Sequence, residues 1–192
     1  MKSTQTQYAA SLYSRDGQRK YLTSQERTRF IAAAERCPRP NIGTLCLVLA
    51  YTGCRLSEAL AITGNAINAE DNSIAIQSLK KRGAFIIREI PVPQTLIARL
   101  NAQKGQPTQR LWPLSRGHAW QLIKGVMKEA GIAAGAQQTP KGLRHGFGVH
   151  ALRSGVPITL VQRWLGHASL ATTAIYTQVL GREEWEIASR MW

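Results

Sequence analysis

The spacing of apolar residues in the first third of the chain predicts three helices. Residues 1–20 show no sustained apolar period, so we expect a flexible basic arm. A capping-box pattern that begins at Thr23 precedes apolar positions at helical spacing, which predicts a first helix over 24–36. A Cys-Pro-Arg-Pro segment ends this helix, and residues 42–51, apolar on nearly every side, predict a central second helix. A short third helix is predicted near residues 57–60.

Beyond Gly64 the pattern changes from helical spacing to alternation. Two antiparallel strands joined across Lys80 to Gly83 are predicted by the apolar positions Ile74, Ile76, Phe85, Ile87 and Ile90. Helical spacing then returns and predicts helices over 94–103, 115–130, 139–153, 158–165, 171–179 and 182–190. The predicted fold class is therefore mainly α with a small antiparallel β-sheet.

The length and the charge of the chain narrow the class of protein. At 192 residues it can bury one hydrophobic core, and we expect one globular domain over 21–180 with a C-terminal helix or tail at 181–192. Lys and Arg number 25 against 11 Asp and Glu, a formal net charge of +14. Such an excess favours a polyanionic partner, although a basic protein kept soluble by its charge would have the same composition.

Neither a membrane segment nor a disulfide framework is predicted. The longest strongly apolar stretch, residues 45–51, is far shorter than the roughly 20 residues that a membrane-spanning helix needs. The polar N-terminus contains no signal-peptide core, so we expect a cytoplasmic protein. Cys37, Cys46 and Cys54 have neither metal-ligand spacing nor an even count, which favours free thiols in a reducing compartment.

Four short motifs contain the candidate chemistry. They are Thr-Gly-Cys-Arg-Leu-Ser-Glu at 52–58, Leu-Lys-Lys-Arg at 79–82, Thr-Pro-Lys-Gly-Leu-Arg-His at 139–145, and Leu-Gly-His at 165–167 with Tyr176 nine residues on. Any one of them occurs by chance. In this order and at these separations they resemble the tyrosine recombinase, or phage integrase, family. The resemblance covers about residues 20–180 and implies the catalytic-domain fold of DNA breaking-rejoining enzymes.

The resemblance implies that DNA is cut and rejoined without a metal or a cofactor. Arg55 and Arg144 would neutralise two non-bridging phosphate oxygens, a task that suits guanidinium groups. Tyr176 would attack phosphorus to form a 3′-phosphotyrosyl bond. His167 would bond a phosphate oxygen or orient the nucleophile. The alternatives are an ion pair with Glu58 for Arg55, a solvated helix charge for Arg144, a helix cap for His167 and a core position for Tyr176.

The basic hairpin leaves a choice of general acid. By resemblance, one hairpin lysine protonates the leaving 5′-oxygen of DNA. Lys80 is favoured over Lys81, because neighbouring residues of an extended strand point to opposite faces. For both lysines the alternative is a contact with the DNA backbone, and we expect Lys81, Arg82 and Arg88 to make such contacts.

One position departs from the family pattern. Lys141 lies where most family members carry His, and an ammonium group can bind phosphate but does not readily accept the tyrosine proton near neutral pH. Position 141 therefore does not readily supply general-base assistance to Tyr176. His145 and His150 have no acidic or cysteine residues nearby in sequence that would suggest a metal site, and we interpret both as structural.

The resemblance also implies partners. Most family members carry a DNA-clamping domain ahead of the catalytic one, so with about twenty residues before the first helix we expect a natural short form or an excised catalytic fragment. We expect a monomer alone and a tetramer on paired double-stranded DNA sites, with accessory DNA-binding proteins as further candidate partners. Trp185, Ile187 and Trp192 would dock on a neighbouring subunit or pack within their own chain.

Two other functions fit the same motifs. A catalytically silent DNA-binding regulator would keep the fold, and Lys141 and the missing clamp favour it. The retained arginines, Lys80 and Tyr176 argue against it. A type IB topoisomerase would use the same chemistry, but the close spacing of Leu-Gly-His and Tyr176 resembles the recombinases.

Overall fold

The helices and strands follow the predicted order in the residues that the computed structural model describes, which are 12–78, 86–103, 105–179, 188, 189 and 191. The helices are α1 (Ser24–Glu35), α2 (Pro40–Thr52), α3 (Leu56–Ala59), α4 (Gln94–Gln103), α5 (Arg116–Glu129), α6 (Pro140–Arg153), α7 (Ile158–Leu165) and α8 (Ala171–Ala174). The strands are β1 (Ile67–Asn68), β2 (Ser73–Gln77) and β3 (Ile87–Pro91). The predicted fold class, mainly α with a small antiparallel sheet, is confirmed.

Side-chain caps fix the starts of α1 and α6. The hydroxyl of Thr23 accepts the Glu26 N–H at 3.2 Å, and the Glu26 carboxylate accepts the Thr23 N–H at 2.8 Å, which confirms the capping box. At the start of α6 the Thr139 hydroxyl accepts the Gly142 N–H at 3.0 Å, and Pro140 occupies the first helical position. Local sequence therefore determines where α1 and α6 begin.

α2 forms the centre of the larger of two apolar clusters. Every residue from 42 to 50 is buried, and the helix packs against α1, α4, α5 and α6. The face that α5 turns toward this core contains Ile123, Val126 and Met127, while Trp120 is only partly buried. An apolar surface on all sides is what a helix enclosed by four others requires.

The smaller cluster lies beside α6 and includes a residue from the predicted arm. Leu12 is fully buried there, and Tyr13 forms an isolated antiparallel bridge with Arg19. Residues 12–20 thus contact the domain, contrary to the predicted flexible arm, through buried Leu12 and through the ion pair of Arg19 with Glu26. Residues 1–11 lie outside the described residues.

The three strands form one antiparallel sheet in the order β1-β2-β3. Ile74 pairs with Ile90 and Ile76 pairs with Arg88, and all four of these side chains are buried. Ile87, predicted among the apolar positions of the pair, is half exposed, because Ile87 and Ile90 have opposite parity along one strand. Strand β1, of two residues, was not predicted, and most of the β2–β3 connection lies outside the described residues.

The C-terminal part differs in local geometry from the prediction. Where one helix over 171–179 is expected, α8 ends after four residues and a 3₁₀ segment, Ile175–Val179, follows. The predicted last helix, with Trp185, Ile187 and Trp192, lies outside the described residues apart from positions 188 and 189. The three cysteines are free, as predicted. Within the described part of the chain, no helix has both the length and the apolar character needed to cross a membrane.

Candidate active site

Arg144 is held at the junction of three helices. It lies in the second turn of α6, and its guanidinium donates hydrogen bonds to the carbonyl oxygens of Gly53, just after α2, and of Leu165, at the end of α7, each at 2.8 Å. Burial, together with the neighbouring charge of Arg55, lowers the pKa of Arg144 to about 10, so the group stays a cation at neutral pH. The fold thus places a fixed positive charge between α2 and α7.

Arg55 and Arg88 share one buried carboxylate. Glu58 binds Nη1 of Arg55 at 2.7 Å and Nη2 of Arg88 at 2.8 Å. Burial opposes the ionisation of Glu58, but the Arg55 backbone N–H and the two guanidiniums outweigh it and hold its pKa below the usual range. The ion pair considered for Arg55 from sequence is confirmed. Its side chain nevertheless remains 25% exposed, so solvent still reaches it.

Arg88 corrects the sequence prediction, because it is buried and does not face solvent. Its register opposite Ile76 points the side chain into the protein. Nε donates to the Trp164 carbonyl at 3.0 Å, Nη1 to the Ser78 hydroxyl and Nη2 to Glu58. These three contacts occupy the buried guanidinium, which joins β3 to α3 and α7.

The glycine of the Leu-Gly-His motif is needed for this packing. Gly166 ends α7 with a left-handed φ of 65°, where its N–H bonds the Arg163 carbonyl and the His167 N–H bonds the Gln162 carbonyl. A Cβ on Gly166 would lie 2.6 Å from Nη1 of Arg88. The motif therefore turns the chain sharply beside Arg88 and Arg144, and His167 directly follows this turn.

Tyr176 lies in the smaller cluster, on the 3₁₀ segment, and is fully buried. Its ring stacks on the His167 imidazole, with centroids 6.2 Å apart and planes at 16°. Gly148 of α6 packs directly against the Tyr176 ring, since a Cβ there would lie 2.6 Å from Cε2 of the tyrosine. Burial raises the pKa of Tyr176 to about 12, although Arg144 and Arg55 act in the opposite direction.

The two histidines that flank Tyr176 are both neutral at physiological pH. Nδ1 of His145 lies 3.2 Å from the Tyr176 hydroxyl, and Nδ1 of His167 lies 2.9 Å from the Thr173 hydroxyl. Burial, followed by the charges of Lys141 and Arg144, lowers the pKa of His145 to about 3. Burial, followed by Arg144 and Arg55, lowers that of His167 to about 4. Each imidazole can thus accept a hydrogen bond as well as donate one.

The structure brings four of the predicted site residues to one region. Arg55, Arg144, His167 and Tyr176 converge where the ends of α2 and α7 meet α6 and the 3₁₀ segment. Lys141 is exposed on the first turn of α6, one turn before His145. Lys80, Lys81 and Arg82 lie outside the described residues, so their roles stay predictions.

Sequence reasoning missed three contacts of the site. His145 was interpreted as structural, yet it meets the Tyr176 hydroxyl from 31 positions away. Its helical spacing of four from Lys141, toward the same face of α6, was the available signal. Glu58 was considered only for Arg55, and the pairing with Arg88, 30 positions away, has no local signal. Thr173, whose hydroxyl contacts His167, was not singled out from the sequence.

Comparison with known proteins agrees with this geometry. The model of the phage integrase family matches residues 20–183. Tyrosine recombinase XerA of Pyrococcus furiosus is 33% identical over 181 residues, which cover 89% of this chain and 61% of the relative. Tyrosine recombinase XerD of Mycobacterium tuberculosis is 32% identical over 169 residues, 77% of this chain and 54% of the relative. The chain therefore spans between about half and two thirds of the length of these relatives.

Solved structures show the same fold. A crystal structure of XerA recombinase matches with a TM-score of 0.73 at 27% identity, over 89% of this chain and 64% of that one. The catalytic domain of bacteriophage HP1 integrase matches with a TM-score of 0.67 at 21% identity, over 88% of this chain and 93% of that one. The chain belongs to the phage integrase family, the tyrosine recombinases, for which site-specific DNA recombination is the activity at family level.

Proposed function

We propose that this chain is a site-specific DNA recombinase that cuts and rejoins DNA through a 3′-phosphotyrosyl bond at Tyr176. The observation that supports it most is the meeting of the Tyr176 hydroxyl, two neutral imidazoles and two arginine cations in one place. The net charge of +14 suits a polyanionic partner. A recombinase of the same fold, XerH, has been solved in a post-cleavage complex with its palindromic difH substrate.

In the proposed reaction, Arg55 and Arg144 bind the two non-bridging oxygens of the scissile phosphate. Their positions are fixed in advance by Glu58 and by backbone carbonyls, so little reorganisation is needed as charge develops. Tyr176 attacks phosphorus, the bond to the 5′-oxygen breaks, and that oxygen takes up a proton. Lys80 is our candidate donor, with Lys81 as the alternative. Lys141, exposed near the site, would contact phosphate.

Cleavage requires a change around the nucleophile. Tyr176 is fully buried without DNA, so a phosphate cannot reach its hydroxyl until the 3₁₀ segment or the side chains around it move. The segment continues a helix of only four residues, so few backbone hydrogen bonds hold it. We propose that DNA binding supplies the interactions that offset this movement. The acting form would be a tetramer on two duplexes, with accessory proteins assisting site selection.

The test is covalent capture on DNA. The protein is incubated with a pool of nicked duplexes of randomised sequence, each labelled at the 5′ end of the strand to be cut, and adducts are detected on a denaturing gel. We expect a labelled adduct from the wild type and none from Tyr176→Phe, with peptide mapping to Tyr176. Duplexes recovered from the adduct then serve as the defined substrate.

A catalytically silent DNA-binding regulator is the second candidate, favoured by the burial of Tyr176 and by Lys141 in the usual histidine position. It predicts salt-sensitive DNA binding without any adduct across the whole pool. A topoisomerase predicts that the protein relaxes supercoiled plasmid but exchanges no strands between two recovered duplexes. These outcomes separate the three functions.

A further inference from the structure

We infer that His145 accepts the proton of the Tyr176 hydroxyl as the phosphotyrosyl bond forms, and that it holds this hydroxyl in position before the reaction. The inference rests on the proposed function and assigns its missing general base. The observation behind it is the 3.2 Å separation of His145 Nδ1 and the Tyr176 hydroxyl. That distance is within hydrogen-bonding range.

The direction of the hydrogen bond follows from the chemistry of the two groups. An imidazole that carries its proton on Nε2 offers a lone pair on Nδ1, and a protonated phenol offers its O–H. The pKa of Tyr176 is raised to about 12 and that of His145 is lowered to about 3, so at neutral pH both groups are uncharged. With the imidazole proton on Nε2, the tyrosine donates this hydrogen bond and His145 accepts it.

The charges around His145 disfavour its protonation before DNA binds and would favour it once a phosphate is bound. Lys141, Arg144, His167 and Lys20 all disfavour the imidazolium, in that order after burial itself. A scissile phosphate bound at Arg144 would bring negative charge to the same place and favour the imidazolium. Protonation of His145 would then coincide with attack on phosphorus, which removes the need for a free phenolate.

The placement of His145 keeps it near the reacting atoms. It directly follows Arg144 on α6, so the acceptor and the proposed phosphate ligand share one rigid helix. Gly148, on the same helix, supports the tyrosine ring. Lys141 lies one turn earlier and is exposed, and an ammonium group there is suited to phosphate and not to accepting a proton.

The proposed step balances. The Tyr176 O–H bond breaks and its proton moves to Nδ1 of His145, the tyrosine oxygen bonds to phosphorus, and the bond to the 5′-oxygen breaks as that oxygen gains a proton from the general acid. Rejoining reverses each movement, so His145 returns its proton to Tyr176. No oxidant, nucleotide or metal takes part.

The experiment measures single-turnover adduct formation between pH 6 and 9 on the duplex recovered in the capture experiment. We expect His145→Ala to lower the rate at pH 7 by 10²- to 10⁴-fold, the usual contribution of a general base. The variant rate should rise about tenfold per pH unit, because the phenol must now lose its proton to solvent, whereas the wild-type profile should be flatter. Added imidazole should restore part of the rate in His145→Ala.

Two further variants separate proton transfer from support of the fold. His145→Gln keeps a hydrogen-bond acceptor but not a base, and it should stay slow. His150→Gln removes a histidine five positions later on the same helix and should leave the rate within about twofold. In ¹⁵N-histidine spectra without DNA, the Nδ1 signal of His145 should shift in Tyr176→Phe.

The outcomes distinguish the inference from the function on which it rests. A wild type that forms no adduct on any duplex overturns both. A normal wild type with an equally fast His145→Ala, or with a His145→Ala that is faster because the tyrosine is released, overturns only the role of His145. A slow His145→Ala with an unchanged pH profile and no response to imidazole also overturns it, because that pattern reflects packing alone.

Discussion

The arginine side and the tyrosine side of the candidate site are held in different ways. On the arginine side, charged donors bind a carboxylate and backbone carbonyls, and the elements that carry them pack on the larger core. On the tyrosine side, Tyr176 has apolar packing and a hydrogen bond to a neutral imidazole, on a segment that follows a four-residue helix. The fold therefore holds the positive charges by polar contacts and places the nucleophile on a short segment with fewer of them.

The largest effect is expected on the arginine side, where Glu58→Gln removes the anion shared by Arg55 and Arg88. The Arg88 guanidinium would stay buried without a counter-charge, and breaking such a pair typically costs about 3–5 kcal/mol. Urea unfolding followed by circular dichroism measures the loss. Glu89→Gln, on the exposed side of β3, is the matched control and should change stability by less than about 0.5 kcal/mol.

If Glu58→Gln and Glu89→Gln lower the free energy of unfolding by the same small amount, the buried ion pairs of Glu58 do not stabilise the arginine side. The comparison would then fail, because both sides of the site would depend on apolar packing alone.

On the tyrosine side, Gly148→Ala should cost about 1–3 kcal/mol, the usual penalty of overpacking. The new methyl group would lie within 3 Å of three ring atoms of Tyr176, so the ring or the 3₁₀ segment must shift. Gly125→Ala is the control, since it lies within α5 with nothing within 4 Å of its Cβ position. That variant should gain about 0.5–1 kcal/mol from helix propensity.

Thermal unfolding measures both glycine variants, and adduct formation shows whether a displaced tyrosine is more or less reactive. If Gly148→Ala is as stable as Gly125→Ala, the residues around Tyr176 adapt freely to the added methyl group. Tyr176 would then not be closely packed against α6.

The contrast between the two sides also explains what the sequence could predict. Caps, prolines and apolar spacing act within one turn of chain, and they predicted α1, α2 and α4 to α7 closely. Arg55, Arg144, His167 and Tyr176 were found through motif order, which carries no distances. The bounds of the tyrosine segment were predicted, but its geometry was not, because whether a helix tightens to 3₁₀ geometry depends on what it packs against.

Contacts between distant segments set the remaining features. On β3, Ile87 and Ile90 point to opposite faces of the sheet, so the apolar pattern alone does not show which face is buried. Pairing with β2 and the ion pair with Glu58 select the face that buries Arg88. Leu12 is buried because α6 and the tyrosine segment provide a cluster for it. None of these partners is within helical or strand spacing, so periodicity could not identify them.

The two neutral histidines predict how stability responds to acid. Unfolded, each imidazole titrates near 6.5, whereas the folded protein lowers the pKa of His145 to about 3 and that of His167 to about 4. Between pH 6.5 and 4 the unfolded chain thus binds more protons, so the free energy of unfolding falls as pH falls. Removing both groups should make this slope shallower by about 1 kcal/mol per pH unit, after allowing for solvent at His167.

Urea titrations at pH 7.5, 6 and 5 of the wild type and of the double variant His145→Gln/His167→Gln give the two slopes. Glu58, whose pKa is lowered from 4.5, loses its contribution only at more acidic pH, so it does not obscure this window. Parallel slopes would show that the folded protein does not keep these imidazoles neutral, and the tyrosine side would then be as charged as the arginine side.

The smallest expected effect comes from Thr173, whose buried hydroxyl meets Nδ1 of His167 at 2.9 Å. Thr173→Val keeps the shape of the side chain and removes this hydrogen bond, at a cost of about 1 kcal/mol. The imidazole that stacks on Tyr176 would lose its fixed orientation, so adduct formation should fall by about fivefold. Thr172→Val, exposed on the same short helix, should change neither quantity measurably.

The pair of threonine variants asks whether the tyrosine side is organised beyond simple packing. Thr173 is fully buried and its hydroxyl contacts His167, so we expect a loss of rate to act through His167. A fall in rate much greater than the fall in stability would mean that the imidazole must be oriented for reaction. A loss of stability with an unchanged rate would mean that His167 serves only as a flat surface against the Tyr176 ring, and His145 alone would then determine where the nucleophile's proton lies.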